Sequence, residues 1–329
     1  MTALAEAYDV ALLDLDGVVY VGSGAVPHAE QTLAECRLRG MRLAFVTNNA
    51  ARPPHVVADH LSSLGIGADP SEVVTSAQAA ARLLAEMLPA GSRVLVVGGE
   101  GLIDALSEQG LVAVAELADQ PVAVVQGFHP DVGWRLLAEG AYAIAAGLPW
   151  VASNLDRTIP TPRGRAPGNG AFVEALKITT GQAPVVAGKP ESPMHREAVL
   201  RTAAKRPLVV GDRMDTDIEG AQRAGADSLL VFTGVTDPDE IVRAGANHRP
   251  TYIGEDLRAL LAPPGDVDVK AGASEYGGWS ATVDRGRISI EQTGDDAARL
   301  DALRALCGAA WSLDEPPDGV AEALAKAGW

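Results

Sequence analysis

Residues able to do chemistry are concentrated in a few short runs. Asp14 and Asp16 stand two apart at the end of the apolar run Val10–Asp14, and Gly17 follows them. Two carboxylates held on one side of a turn can divide a reaction between them. One attacks phosphorus to give an aspartyl-phosphate; the other, protonated, gives its proton to the departing alkoxide and later takes one from water. Charge on a transferring phosphoryl group calls for a metal and for cationic or N–H donors around its oxygens. Asp212, after Pro207–Gly211, can complete a Mg²⁺ site with Asp14, because Mg²⁺ favours a few carboxylates plus water. Lys189 offers an ammonium that suits a phosphate oxygen and a nucleophilic carboxylate at once. Thr47 offers a hydroxyl, and the amides after it, beginning with Asn48, offer N–H donors. An aspartate after a strand is commonly no more than a turn or cap residue, and a lone Thr or Lys carries still less weight. The combination and its order carry the argument.

The elements that must position these residues follow from hydropathy. Short β-branched runs alternate with helical segments: Val10–Asp14, Met41–Thr47, Arg93–Gly98, Pro121–Gly127, Pro149–Ser153, Pro184–Ala187, Pro207–Gly211 and Ser228–Val231 read as strands. Pro27–Gly40 reads as a helix with Leu33, Cys36 and Leu38 toward the core. Pro53–Leu64 is a helix opened by proline, and Pro160–Gly170 reads as a Gly/Pro-rich loop. The pattern predicts an α/β fold, a doubly wound parallel sheet with helices on both faces. Ligands of such sheets sit at the carboxyl ends of the strands, and the four polar strand ends hold Asp14, Thr47, Lys189 and Asp212.

DLDGVVYVG (Asp14–Gly22), FVTNNA (Phe45–Ala50), GKP (Gly188–Pro190) and GDRMDTDIEGA (Gly211–Ala221) resemble the four motifs of the haloacid dehalogenase superfamily of phosphatases. The resemblance covers about Tyr8 to Leu261. It implies a Rossmann-like core in which Asp14 is the nucleophile and Asp16 the general acid/base. It also implies that Gly17, Thr47, Asn48 and Lys189 bind the phosphoryl group. Mg²⁺ would be bound by Asp14, the Asp16 carbonyl and Asp212, with Asp217, ahead of Asp215, behind the metal. An acid at position 16 sets the chain apart from the dehalogenases and ion-pumping ATPases of that superfamily.

Spacing locates an insertion. Asp14 and Thr47 are 33 residues apart, room for a flap (Val18–Ala25), one helix and one strand; Thr47 and Lys189 are 142 apart, far more than one crossover needs. The expected division is core 1–78 and 184–261, an α/β cap at 79–183 and a C-terminal αβ module at 262–329. The cap is similar to the C2-capped (type IIA) branch, which includes nitrophenylphosphatase-like and phosphoglycolate phosphatases, and SNLDRTIPTPRGRAPGNGAFVEAL (Ser153–Leu176) resembles that branch's cap segment. Asn154, Asp156 and Arg157 are candidate contacts to the leaving group, and the amides near Gly168 and Gly170 could face the site. A solvated loop is nevertheless the plainer reading of Arg157, as of Arg163 and Arg165, and a solvent-facing turn that of His129. Trp134, Tyr142, Trp150 and Phe172 fit packing positions better than an aromatic clamp.

Beyond Pro263-Pro264-Gly265, residues 262–329 hold 12 acids against 6 bases and three of the five tryptophans, so this is not a disordered tail. Trp279–Val283 and Arg287–Ile290 flank Asp284-Arg285-Gly286 as a hairpin. Thr293–Asp296 resembles a capping box. Leu300, Leu303, Leu306, Cys307 and Ala310 repeat at helical spacing, and Val320–Ala327 forms a second helix. Among related sequences such an extension resembles that of bacterial glycerol 3-phosphate phosphatases, likened to part of an acetyltransferase fold; residues 262–329 contain no R/Q-x-x-G-x-G/A acetyl-CoA loop. Packing against the core, dimerisation and regulation stay open for it.

The net charge of −16 and mean hydropathy of +0.08 describe a globular chain ill-suited to nucleic acid or anionic lipid. An anionic substrate therefore needs a local cation, for which the reading offers Mg²⁺ and Lys189. Cys36 and Cys307 have no metal or disulfide spacing, and no segment reads as a signal peptide or membrane span. The expected partner is a small phosphorylated metabolite in the cytoplasm, with no nucleic acid and no membrane; a homodimer stays open. Glycerol 3-phosphate is the first substrate the resemblance suggests. Phosphoglycolate, pyridoxal phosphate and sugar phosphates follow, and a non-catalytic metabolite-binding protein is the rival from another class.

Overall fold

A computed structural model describes residues 2–161, 163–265, 267–295 and 297–329. The chain divides into two compact units, Met1–Leu43 with Ala204–Trp329, and Ala44–Ala203. Among the described residues, no helix is long and apolar enough to cross a membrane.

In the first unit four parallel strands lie in the order Tyr252–Gly254, Asp227–Val231, Pro207–Gly211, Val10–Leu13. Val10 faces Pro207 and Leu13 faces Val210 in the pairing of the last two. Val10–Leu13 is buried throughout, as expected of a strand covered on both faces. Helix Ala29–Leu38 buries Leu33 and Cys36, one helical turn apart. Leu38, expected at the core, is 84% exposed, because five residues beyond Leu33 it points well away from the buried face. Residues after Gly17 form a small flap in which Tyr20–Val21 pairs with Gly24–Ala25.

The extension completes this unit. Trp279–Asp284 pairs antiparallel with Arg287–Gln292, and Asp284 faces Arg287 across the loop. The two loop residues, Arg285 (φ 48°) and Gly286 (φ 80°), both take positive φ, as a two-residue type I′ turn requires. A third strand, Ala273–Tyr276, not expected from the sequence, pairs on the other side of Trp279–Asp284. Helix Arg299–Ala310 buries Leu303, Leu306, Cys307 and Ala310, and Val320–Lys326 follows. Asp296 of the expected capping box lies outside the described residues; the helix starts after Ala298.

In the second unit the strand Arg42–Thr47, which enters from the first, pairs parallel with Val73–Thr75. A separate five-stranded parallel sheet has the order Val185–Val186, Trp150–Ala152, Ala123–Gln126, Arg93–Val97, Val112–Val114. Helix Ser76–Met87 opens with a capping box between Thr75 and Gln78, satisfying two otherwise orphaned N–H groups. Helix Ser192–Thr202 carries Glu197, whose fully buried carboxylate is held by Arg82 and Arg201. Residues 160–170 are not simply a loop: Thr158–Thr161 pairs antiparallel with Gly164–Pro167. An isolated two-strand ribbon leaves one edge of each strand unpaired, so Pro160 and Pro167 are tolerated despite lacking an N–H.

Two aromatic expectations fail here. Trp134 is 80% exposed and Tyr142 is 55% exposed, whereas Trp150 is buried. Helix Trp134–Ala145 buries Gly140, Ala141, Ala143 and Ile144. Trp134 is its first residue, and side chains lean toward a helix's N-terminus, so its ring projects off the end. Tyr142, one residue past Ala141, is turned about 100° from the buried face.

Candidate active site

The carboxylates belong to the first unit. The Asp14 N–H donates to the Val210 carbonyl at 2.8 Å, extending the strand pairing by one residue. Asp14 is half-buried, Asp16 exposed, and Asp212 and Asp217 are fully buried. Asp212 directly follows Pro207–Gly211, and Asp217 lies in the wide helical turn Met214–Ile218. Asp14, Asp212 and Asp217 each bring a carboxylate oxygen within 4.8 Å of the others.

The surrounding backbone is shaped around these acids. The Val235 N–H donates to Asp212 Oδ2 at 2.7 Å, and the Arg213 N–H donates to Asp217 Oδ2 at 3.2 Å. Thr233 Oγ1 donates to the Gly17 carbonyl at 2.5 Å. Gly17 has φ +86°, and a Cβ there would lie 2.5 Å from Asp212 Oδ2; a Cβ on Gly234 would lie 1.9 Å from the same oxygen. Both positions therefore exclude a side chain, Gly17 for conformation as well. Three hard oxygen donors converge, and two belong to fully buried acids whose mutual repulsion a divalent cation relieves. That donor chemistry fits Mg²⁺. Sequence reasoning missed Thr233–Thr236; its signal was Thr233-Gly234 just past the strand Asp227–Val231, a fifth polar strand end.

Asp215, the weaker candidate for a place behind the metal, faces elsewhere. Burial would raise its carboxyl, but the hydrogen bonds and charge of Arg213 outweigh that and hold it below the usual carboxylate range. Arg213 Nε and Nη2 donate to it at 3.0 and 2.8 Å, and Asp217 is the acid in the cluster.

Thr47, Asn48 and Lys189 belong to the second unit. Asn48 Oδ1 accepts from the Lys189 N–H at 2.8 Å, and Asn48 Nδ2 donates to the Lys189 carbonyl at 3.2 Å. One side-chain amide thus grips both backbone groups of Lys189, much as a neighbouring strand would. Lys189 Nζ donates to the Val46 carbonyl at 3.4 Å, and Lys189 is buried. Thr47 Oγ1 accepts from the Asn49 N–H at 3.1 Å. The Asn48 side chain is therefore committed to holding Lys189.

The candidate leaving-group contacts divide. Asn154 is buried; its Nδ2 donates to the Asn48 carbonyl at 2.7 Å and its Oδ1 accepts from the Asp156 N–H at 3.1 Å. With both ends engaged, it braces the segment after Thr47 instead of facing a substrate. Asp156 Oδ1 accepts from Asn48 Nδ2 at 3.4 Å, while Arg157, Arg163 and Arg165 are exposed. The amides of Gly168 and Gly170 donate to the carbonyls of Arg157 and Asp156. They therefore close the local turn instead of pointing at a ligand. His129 Nδ1 accepts from the Asp131 N–H at 3.3 Å, a turn contact.

Fold and cluster define a doubly wound α/β protein with an acidic, cation-ready centre at its strand ends. Residues 11–112 match a model of haloacid dehalogenase-like hydrolases, residues 186–260 a HAD-hydrolase-like model, and residues 276–329 a GCN5-related N-acetyltransferase-like domain. The chain is 46% identical over 317 residues to a D-glycerol 3-phosphate phosphatase of Mycobacterium tuberculosis, covering 94% of this chain and 88% of that one. It is similar to the crystal structure of a glycerol phosphate phosphatase of Mycobacterium tuberculosis in complex with magnesium, with TM-score 0.91, 44% identity and coverage of 99% and 98%. A 5′-nucleotidase of Bacillus subtilis is 40% identical over 254 residues, 77% of this chain and 97% of that relative. The chain belongs to the haloacid dehalogenase-like hydrolase family.

Proposed function

We propose that this chain is a Mg²⁺-dependent phosphomonoester hydrolase that converts glycerol 3-phosphate to glycerol and inorganic phosphate. The observation that carries the reading is the convergence of Asp14, Asp212 and Asp217. The 46% identity to a D-glycerol 3-phosphate phosphatase over nearly the whole chain supports the substrate. Core 1–78 and 184–261 would hold the chemistry, 79–183 would cap it, and 262–329 is the extension.

In this reading an Asp14 oxygen attacks phosphorus as the bond from phosphorus to the ester oxygen breaks. Asp16, protonated, gives its proton to the departing glycerol oxygen. Asp16 then takes a proton from a water molecule, whose oxygen attacks phosphorus and frees Asp14 and inorganic phosphate. The exposed position of Asp16 suits a group that exchanges protons with both leaving group and water. The Thr47 hydroxyl, the Asn48 amide and the Lys189 ammonium would hold the phosphoryl oxygens, whereas the Gly17 amide, expected among them, donates to the Tyr20 carbonyl at 2.9 Å and closes the flap turn. Mg²⁺ held by Asp14, the Asp16 carbonyl and Asp212, with Asp217 behind, would neutralise charge between nucleophile and phosphoryl group. A cytoplasmic setting goes with this reading, since Cys36 and Cys307 are both buried free thiols.

The deciding experiment measures phosphate release from glycerol 3-phosphate, nucleoside 5′-monophosphates, phosphoglycolate, pyridoxal phosphate and sugar phosphates, with Mg²⁺ and with EDTA. A kcat/KM for glycerol 3-phosphate tenfold above the rest, about 1.4 kcal/mol of transition-state discrimination, establishes the substrate. The second reading, a nucleotidase, is favoured by the 40% identical relative and wins if a nucleotide leads the panel. Tight ester binding without phosphate release sinks both.

A further inference from the structure

We infer that the C-terminal module is a support for the metal-binding carboxylates, acting on them through Phe232 and Ile218. The inference rests on the reading of Asp14, Asp212 and Asp217 as a Mg²⁺ site. Its physical basis is that groups behind metal ligands set the ligands' positions and so the affinity.

Two routes lead from the module to the acids, both inside the first unit. In the first, Trp329 packs on Phe232 with ring centroids 5.5 Å apart. The Arg299 guanidinium lies 4.5 Å from the centre of the Trp329 ring, and Trp329 Nε1 donates to the Arg299 carbonyl at 2.8 Å. Arg299 Nε in turn donates to Glu255 Oε1 at 2.8 Å, and the Glu255 carbonyl accepts from the Phe232 N–H at 3.2 Å. The contacts form a closed circuit, so Phe232 is held on its ring and on its backbone. The next residues do the work at the site. Thr233 Oγ1 holds the Gly17 carbonyl, the Val235 N–H holds Asp212 Oδ2, and the Thr236 N–H donates to the Asp212 carbonyl at 3.2 Å.

In the second route, Ile218 is fully buried in the same apolar cluster as Trp279, Leu303, Leu306 and Trp311 of the module. It directly follows Asp217. Met214, at the start of the same turn, packs against that cluster. The module therefore backs both the loop that clamps Asp212 and the turn that presents Asp217. This assigns it a task unrelated to the acetyl-transfer chemistry of the domain family it matches.

The test is Mg²⁺ titration by calorimetry of the full chain and its variants, alongside kcat and KM for glycerol 3-phosphate at limiting and saturating Mg²⁺. Trp329→Ala should weaken Mg²⁺ binding on the order of tenfold, as expected for a residue supporting metal ligands, with kcat recovered at saturating Mg²⁺. Trp329→Phe, which keeps a ring against Phe232, should restore most of the affinity. Thr233→Val, which loses the hydroxyl on Gly17 without touching the module, should give a similar loss. Ser312→Ala controls for plain destabilisation. It removes the acceptor of the Gly272 N–H, 2.9 Å, a contact on neither route, and should lower Tm with Mg²⁺ affinity unchanged. Wild-type affinity in Trp329→Ala overturns the inference and leaves the magnesium reading standing; a wild-type chain that binds no Mg²⁺ overturns both.

Discussion

The carboxylate cluster and the segment Asn154–Gly170 were both marked by polar residues in loops, and they turned out to be built in opposite ways. Around Asp14, Asp212 and Asp217 the backbone serves the side chains. Amides of Arg213 and Val235 donate to the acids, and glycines stand where a Cβ would strike them. In Asn154–Gly170 the side chains serve the backbone. Asn154 bonds the Asn48 carbonyl and the Asp156 amide, and Asn169 Nδ2 donates to the Asn154 carbonyl at 2.7 Å. A polar residue in a loop must first be tested for satisfying the loop's own backbone. What marks chemistry is charge gathered where nothing in the fold requires it.

The largest effect tests the cluster. Asp14→Asn should lower kcat by roughly 10³-fold or more, since the attacking group is gone. A thermal melt without added metal should show Tm unchanged or raised, because one of three converging negative charges has been removed. A variant that still releases phosphate at the wild-type rate breaks the assignment of the nucleophile. Next comes Gly234→Ala, a substitution that sequence alone would class as mild. Its Cβ would fall 1.9 Å from Asp212 Oδ2, so the carboxylate or its loop must move. Mg²⁺ affinity should fall roughly 10–100-fold, in the range seen when the support of a ligand is lost; calorimetry reads it directly.

How far each region could be read in the sequence follows the same division. The strand ends were legible because an acid, a glycine and an apolar run in a fixed order leave few alternatives. The Arg285-Gly286 hairpin was legible because alternation on both sides of a turn pair fixes its register. Short strands such as Val73–Thr75, Val112–Val114 and Tyr252–Gly254 were not, since three residues carry too little periodicity to separate from a loop. Leu38 and Trp134 were misplaced because hydrophobicity says which residues can be buried, whereas position on the helix decides which are. The loop Thr233–Thr236 escaped because its contribution lies in backbone N–H groups and a missing Cβ, which composition does not display. Asn48 was recognised, but its grip on both backbone groups of Lys189 is a tertiary contact across 141 residues.

The contrast within Asn154–Gly170 can be sharpened by a pair of substitutions. Asn154→Ala leaves the Asn48 carbonyl with Ser76 Oγ as its remaining donor and the Asp156 amide without its acceptor. It should cost about 1–3 kcal/mol of stability, read as a lower Tm, and it should lower kcat because Asn48 holds Lys189. Arg157→Ala, at an exposed position, should stay within about 0.5 kcal/mol of wild type, with KM for glycerol 3-phosphate little changed. A tenfold rise in KM in Arg157→Ala would restore that arginine as a substrate contact and break the contrast.

The smallest effect concerns Asp9, one residue before the strand Val10–Leu13 whose other end leads into Asp14. Asp9 accepts from the amides of Lys205 and Arg206 at 2.9 and 2.8 Å and from Arg42 Nη2 at 3.2 Å. Partial burial would raise its carboxyl, but those amides and the Arg42 charge outweigh it, and the group titrates below its ordinary value of 3.8. A carboxyl lowered by folding stabilises the fold wherever it is ionised in both states. Its contribution is complete above the ordinary value and is lost as pH falls through the lower, folded one. The group is largely solvated, so its charge interactions are screened and the total stays near ~1 kcal/mol. Urea midpoints of wild type and Asp9→Asn should therefore differ by a constant amount at pH 7 and 5 and converge below 3.8. Asp9→Asn should leave kcat and Mg²⁺ affinity unchanged. A pH-independent gap would mean that hydrogen bonding alone, without the charge, secures this end of the strand. A loss of Mg²⁺ affinity would mean that the strand transmits strain along its length to Asp14, and that its two ends are not separable.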